Sequence, residues 1–289
     1  MVTNSLTTQK KATFSTFITS DAVKTKINQM IASKDGNKFI TSIISLVANN
    51  PAIAECDHTT ILSSALLGES LKLSSSPQLG QYYIVPFKDN DKEGKLKRIV
   101  ATFQLGYKGY IQLAIRSGYY KKLNVLAIKE GELKNYNPLE ETLDVKLIEN
   151  EEEREKANTT GYYAMFEYHN GFRKTLYWSK EKMQAHAKKY SQSYRTDIKK
   201  GWNYSFWSKD FDGMAYKTML RQLISKWGIM SVEFQRAVIS DTAMIDNNNN
   251  PVYVDNNDTE IEEEIIYNTA DKTETLNNSD PFSDFIEEQ

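Results

Sequence analysis

A single cysteine, Cys56, stands among 289 residues. No disulfide can close within the chain, and the expected setting is a reducing cytoplasm. Histidine is nearly as scarce: His58, His169 and His186 are the whole supply, and none stands at zinc-ligand spacing from Cys56. The phosphate-cradling pattern G-x-x-x-x-G-K-[ST] is missing, which argues against a P-loop ATPase. No serine sits in a nucleophile elbow. No window approaches about 18 uncharged apolar residues, so no membrane span is expected. The first residues lack a continuous apolar stretch, so no signal peptide is expected.

Apolar residues make up 40% of the chain, slightly low for a compact globular protein. The shortfall has a location. Residues 241–289 hold 14 acidic side chains and one basic one, Lys272, a net charge of −13. The rest holds 35 basic and 24 acidic residues, a net +11. The overall charge of −2 therefore hides a strongly dipolar chain. A basic body suits a polyanionic partner. An acidic, Asn-rich end has the composition of a disordered interaction segment.

Periodicity and turn residues divide the chain further. Residues 1–34 read as a polar N-terminal arm serving assembly, 35–236 as the folded core and 237–289 as the acidic tail. Helical spacing recurs over Lys38–Ala48, Thr59–Leu73, Tyr107–Ser117, Lys180–Tyr190 and Asp210–Trp227. Tyr82–Phe87, Arg98–Leu105, Leu123–Ile128 and Leu143–Ile148 read as strands. Tyr162–Tyr168 and Phe172–Trp178 form a hairpin across His169-Asn170-Gly171. Lys88–Lys97, Glu149–Lys156 and Ser191–Tyr204 are expected to be charged loops. The predicted class is α+β: a central antiparallel or mixed sheet with a hairpin, packed by helices on one side and forming a basic groove.

The stretch Phe103–Val125 concentrates parts that can hold a phosphate chain. Lys108, Gln112 and Arg116 are four apart and share one helix face. Ile111, Ala114 and Ile115 are expected to turn inward. Gly106 and Gly109 permit a tight turn or a close approach at the helix start. Tyr119, Tyr120, Lys121 and Lys122 follow at once. An amphipathic helix with solvated charges would show the same pattern.

Two further constellations add cations. Lys209, Gly213, Lys217 and Arg221 form an i,i+4 row on the last long helix. Residues 186–209 interleave Lys188, Lys189, Arg195, Lys199 and Lys200 with Tyr190, Tyr194, Trp202, Tyr204 and Trp207. Cations bind phosphates, and aromatic faces stack bases, although buried core or subunit-interface aromatics would read alike. Arg173 and Lys174 open a hairpin strand and should point to opposite faces. Glu132-Leu133-Lys134 resembles half of a metal-dependent nuclease core, for which Asp144 is a nominal second carboxylate.

Gln104–Val125, Leu79–Phe87 (LGQYYIVPF) and Phe206–Ser231 (FWSKDFDGMAYKTMLRQLISKWGIMS) together resemble the RecT family of phage recombinases, grouped with Redβ-type annealing proteins. The likeness spans roughly residues 35–235, and ordered, separated motifs are more specific than one short pattern. The resemblance implies ATP-independent binding of single-stranded DNA and annealing of complementary strands in phage or prophage recombination, with no catalytic residue. It also implies homo-oligomeric rings or helical filaments, a bacterial host cytoplasm, no required cofactor or metal, and Mg2+ as a modulator of DNA binding. On this reading DNA meets Gln104, Tyr107, Lys108, Gln112, Arg116, Lys121, Lys122, Arg173, Lys174, Lys188, Lys189, Trp202, Trp207, Lys209, Lys217, Arg221 and Lys226. The tail carries Asp280-Pro281-Phe282-Ser283-Asp284-Phe285. It resembles the tips of bacterial single-strand-binding proteins, with Phe282 and Phe285 as partner anchors. A companion phage exonuclease and the host single-strand-binding protein are the partners considered. The alternatives are a generic single-strand-binding protein without annealing activity, a metal-dependent nuclease and an RNA-binding module.

Overall fold

The structure, a computed structural model, describes residues 13–31, 33–90, 95–245 and 251–253. The first twelve residues, the tip of the Lys88–Lys97 connection, and Phe282 and Phe285 lie outside the described residues. The chain divides into two compact units, one drawn from Met1–Arg116 and Val232–Val254, the other from Ser117–Ser231.

The first unit opens with helices α1 (Phe14–Ile18), α2 (Asp21–Met30), α3 (Ser33–Ala48), α4 (Pro51–Ala54) and α5 (His58–Ser70). Phe14, Ile18 and Ile27 of the N-terminal segment are buried alongside Ile40, Ile43 and Val47 of α3. Strands β1 (Tyr82–Asn90) and β2 (Leu96–Leu105) pair antiparallel with Tyr82 opposite Leu105, and helix α6 (Tyr107–Ser117) follows. Two α5 hydroxyls fix that helix to β2. Thr60 Oγ1 accepts from the Ala101 N–H at 2.8 Å, and Ser64 Oγ donates to the Ala101 carbonyl at 3.3 Å. Asp57 caps α5 and also pairs with Arg98, which reaches Asp89 as well. Cys56 is buried, and burial beside Glu55 and Asp57 pushes its thiol up to about 12, which keeps it protonated and inert.

The second unit runs through β3 (Tyr120–Lys129), β4 (Leu133–Asn137), β5 (Thr142–Val145), α7 (Glu151–Lys156), β6 (Thr159–Tyr168), β7 (Arg173–Ser179), α8 (Lys180–Tyr190), α9 (Gln192–Lys200), α10 (Phe206–Lys209) and α11 (Phe211–Trp227). Strand order is β3-β6-β7, antiparallel throughout. Period-2 alternation puts Tyr162, Ala164, Phe166 and Tyr168 of β6 on one face. They share a core with Met183 and Ala187 of α8, Trp207 of α10, and Ala215, Met219 and Leu223 of α11. The chain then returns to the first unit with α12 (Val232–Ile239) and the paired strands β8 (Ala243–Ile245) and β9 (Pro251–Tyr253). Asp241 is fully buried there. Its carboxylate accepts from the Leu105 N–H at 2.9 Å, while the Thr242 N–H donates to the Phe103 carbonyl at 2.8 Å.

The α+β class stands, with two corrections. Instead of one central sheet, the described residues form four separate antiparallel sheets of two or three strands. Two expected loops are helical. Residues 151–156 form α7 because Asn150 caps the Glu152 and Glu153 N–H groups, with acidic residues in the first turn and Arg154 and Lys156 in the last. Residues 192–200 form α9, capped by Ser191 and stopped by left-handed Gly201. No helix among the described residues is long and apolar enough to cross a membrane.

Candidate nucleic-acid interface

On α6 the buried side is Gly109, Tyr110, Leu113 and Ala114. Lys108 and Gln112 are exposed, Tyr107 is half-buried, and the Lys108 ammonium lies 5.9 Å from the Tyr107 ring centroid. The expectation that Ile115 turns inward is overturned: it is 58% exposed, and Ile111 is only half-buried. At i, i+3, i+4 and i+7 both isoleucines share the face of Lys108 and Gln112. Arg116 is already engaged. Its guanidinium donates to the Leu71 carbonyl at 2.6 Å and the Lys72 carbonyl at 3.4 Å, where α5 ends. The glycines serve a close approach to the chain itself. A Cβ at Gly106 would fall 2.1 Å from the Gly80 carbonyl oxygen, and one at Gly109 2.1 Å from that of Gln81. Gln104 is half-buried on β2 opposite Tyr83.

Lys121 and Lys122 are exposed at the start of β3, yet both reach one carboxylate. Glu167 sits 2.7 Å from the Lys121 ammonium and 3.7 Å from that of Lys122. Adjacent strand residues normally point apart. Here the register slips between Tyr120 and Lys122, which lets both turn to one side. The Lys121 contact, with Lys122 behind it, holds the Glu167 carboxyl below its ordinary range. On β7, Arg173 is exposed, while Lys174 pairs with Glu141 and lies 4.4 Å from the Trp227 ring centroid.

The row expected along the last long helix is interrupted. Lys209 is exposed and ends α10, and Asp210, with non-helical backbone, caps α11 by accepting the Gly213 N–H at 2.9 Å. A Cβ on Gly213 would meet that capping carboxylate at 2.3 Å, an exposed side-chain atom that can shift. Lys217 is only 9% exposed, between Tyr216 and Thr218 in a helix whose buried residues include Ala215, Met219 and Leu220. Arg221 is half-buried and Lys226 exposed. The positive charge of Arg221 is felt by His186: burial first, then Arg221, Lys189 and Lys182, depress that imidazole to about 4. His186 packs against the rings of Trp178 and Tyr190, with centroids 5.4 and 4.6 Å away.

Lys188 and Lys189 are exposed at the end of α8, where their carbonyls accept from Arg195 at 2.9 and 2.6 Å. The two expected tryptophans part company. Trp207 is 7% exposed and packs edge-on to Phe211 at 5.2 Å. Trp202 is 47% exposed, with the Lys200 ammonium 4.2 Å from its ring centroid.

A family model described as RecT family matches residues 37–260. The chain belongs to the RecT family. Over 233 residues it is 40% identical to the uncharacterized protein YqaK of Bacillus subtilis strain 168, covering 81% of this chain and 73% of that protein. Over 192 residues it is 32% identical to Protein RecT of Escherichia coli strain K12, covering 66% of this chain and 65% of that one. Membership makes this a phage-type DNA-recombination and single-strand annealing protein.

In this RecT-family chain the nuclease-like Glu132 is fully buried. Both its oxygens are engaged by Arg154, at 2.6 and 3.2 Å, and by the N–H groups of Lys129 and Ile148. Burial would raise this carboxyl, but the Arg154 hydrogen bond and the two N–H groups outweigh it and hold it below its ordinary range. Lys134 turns away and donates to the Gly131 carbonyl at 2.9 Å. Glu132 is thus a buried anchor for Arg154, with both oxygens already engaged within the fold.

Sequence reasoning passed over Glu167 and Asp197. The visible signal at Asp197 was a lone acid among five cations between 188 and 200.

Proposed function

We propose that this protein binds single-stranded DNA through its sugar–phosphate chain and anneals complementary strands without ATP. Family membership over residues 37–260 carries the reading. Exposed Lys108, Gln112, Lys121, Lys122, Arg173, Lys188, Lys189 and Lys209 support it, as does the net +11 of residues 1–240. The exposed lysines and Arg173 neutralise phosphates and leave base edges free, because Watson–Crick pairing with a second strand must select the complement. Copies assemble along the strand as rings or filaments, so binding is cooperative. No cofactor is required, and Mg2+ modulates binding. The acidic tail, with Phe282 and Phe285, recruits a DNA-maintenance partner such as a companion exonuclease or the host single-strand-binding protein. The bacterial cytoplasm is the site of action.

Mixing complementary oligonucleotides with the protein in the absence of nucleotide tests this directly. Annealing faster than the spontaneous rate, with a steep loss of binding in salt, is the expected result. Binding without acceleration would reduce the protein to a strand-protecting role.

A further inference from the structure

The turn between α9 and α10 is built around one side chain. Asp197 is 3% exposed. Its Oδ2 accepts the Tyr204 N–H at 3.0 Å, the Ser205 N–H at 2.7 Å and the Ser208 hydroxyl at 2.6 Å. Its backbone carbonyl accepts the N–H groups of Gly201 and Trp202, the latter at 2.9 Å, which closes the helix in a Schellman arrangement on left-handed Gly201. One residue therefore holds both ends of the Trp202–Tyr204 segment. The Ser208 hydroxyl, with the Ser205 and Tyr204 N–H groups, outweighs the effect of burial and draws the carboxyl down to about 2, so the clamp stays ionised at any working pH.

What the clamp displays is unusual for a surface. Trp202 and Tyr204 meet edge to face at 5.5 Å, and they are 47% and 71% exposed. Neither ring belongs to the buried core. Exposed Lys199 and Lys200 border them, Lys200 directly over the indole. A rigid aromatic pair rimmed by cations complements a flat ring on an anionic backbone.

We propose that Trp202 and Tyr204 form a stacking platform for unpaired nucleobases, with Asp197 as the residue that positions it. This rests on the single-strand-binding reading and adds to it a specific contact: bases here are gripped by their faces, and unpaired strand is preferred to duplex. Tyr204 and Asp197 become parts of the interface, and the buried Trp207 does not.

The test titrates the full-length protein with a thymidine oligonucleotide and with an abasic oligonucleotide of equal length, following tryptophan emission and anisotropy. The thymidine strand should quench the wild type, and the abasic strand should bind without quenching. Trp202→Ala and Tyr204→Ala should each weaken thymidine binding about tenfold while leaving abasic binding within about twofold. Asp197→Ala should copy that selective loss although both rings remain, and Asp197→Asn, which keeps an acceptor oxygen, should recover part of it. Thymidine affinity unchanged in both ring variants would overturn the proposal. So would an equal loss for both strands, or a loss that appears only as a changed oligomer size in sedimentation, which would mark the rings as a contact between copies. None of these outcomes touches nucleotide-free annealing, whose absence would instead sink the broader reading.

Discussion

Helices α6 and α11 carry nearly the same motif, a glycine near the start and a row of polar or cationic residues at four-residue spacing, and use it in opposite ways. On α6 the buried residues Gly109, Tyr110, Leu113 and Ala114 gather on one side, so Lys108 and Gln112 face solvent. On α11 seven residues are buried between Ala215 and Ile224, covering most of the circumference, and Lys217 is one of the seven. A cation row therefore says nothing about exposure until the distribution of the other residues around the helix is counted.

The sharpest way to break this contrast is charge reversal. Lys217→Glu should destabilise the fold by at least about 3 kcal/mol, because it places a carboxylate in the interior position of a cation. Lys108→Glu should change stability by less than about 0.5 kcal/mol. Urea unfolding of both variants decides it, and equal losses would erase the distinction.

A pH measurement probes the same interior from the imidazole side. The value of His186 in the folded protein is depressed to about 4 from an ordinary 6.5. As pH falls, the unfolded chain takes up this proton first. Stability is thus complete above about 6.5 and is lost progressively down to about 4. Between pH 7 and pH 5 the wild type should lose about 2 kcal/mol that His186→Phe does not lose. Parallel curves for the two proteins would mean that His186 is not held neutral by its buried, cationic surroundings.

The glycines sharpen the contrast at a smaller scale. Gly109→Ala should cost about 1–3 kcal/mol, because its methyl group meets the Gln81 backbone oxygen. Gly213→Ala should be nearly neutral. It gains about 1 kcal/mol of helix propensity and disturbs a cap of similar worth, and the obstructing atom is a side-chain oxygen. Thermal melts would reverse the assignment if Gly213→Ala proved the worse. Smallest in stability but visible on DNA is Lys108→Ala. It should leave unfolding within about 0.5 kcal/mol and lower the salt slope of binding by about one. An unaltered slope would remove Lys108 from the phosphate contacts.

Local chemistry was legible in the sequence. The bounds of α6 and α8 agree with their periodicity, and the Ser179 hydroxyl caps α8 by accepting the Lys182 N–H. The β6–β7 hairpin closes on left-handed Gly171, with Asn170 accepting the Phe172 N–H. What was missed depends on partners distant in sequence. The inward pull on Lys217 comes from the shared core of α11. Arg116 is diverted by carbonyls 44 and 45 residues upstream. The rise of α9 out of an expected loop turned on caps that read as loop residues. Within the set expected to meet DNA, exposure separated Trp202 from Trp207 although the two are five residues apart.

The return of Val232–Val254 to the first unit makes that unit complete only late in synthesis. Phe234, Ala237, Val238 and Asp241 are buried in it, and they leave the ribosome after the whole intervening unit. Until then, the Phe103 carbonyl and the Leu105 N–H lack their bonds to Thr242 and Asp241. A nascent chain therefore carries an unfinished seam while its middle portion can already fold. Anyone wishing to remove the acidic end should cut after residue 253, since a stop codon at 237 or 241 would take the closing latch along with the charge.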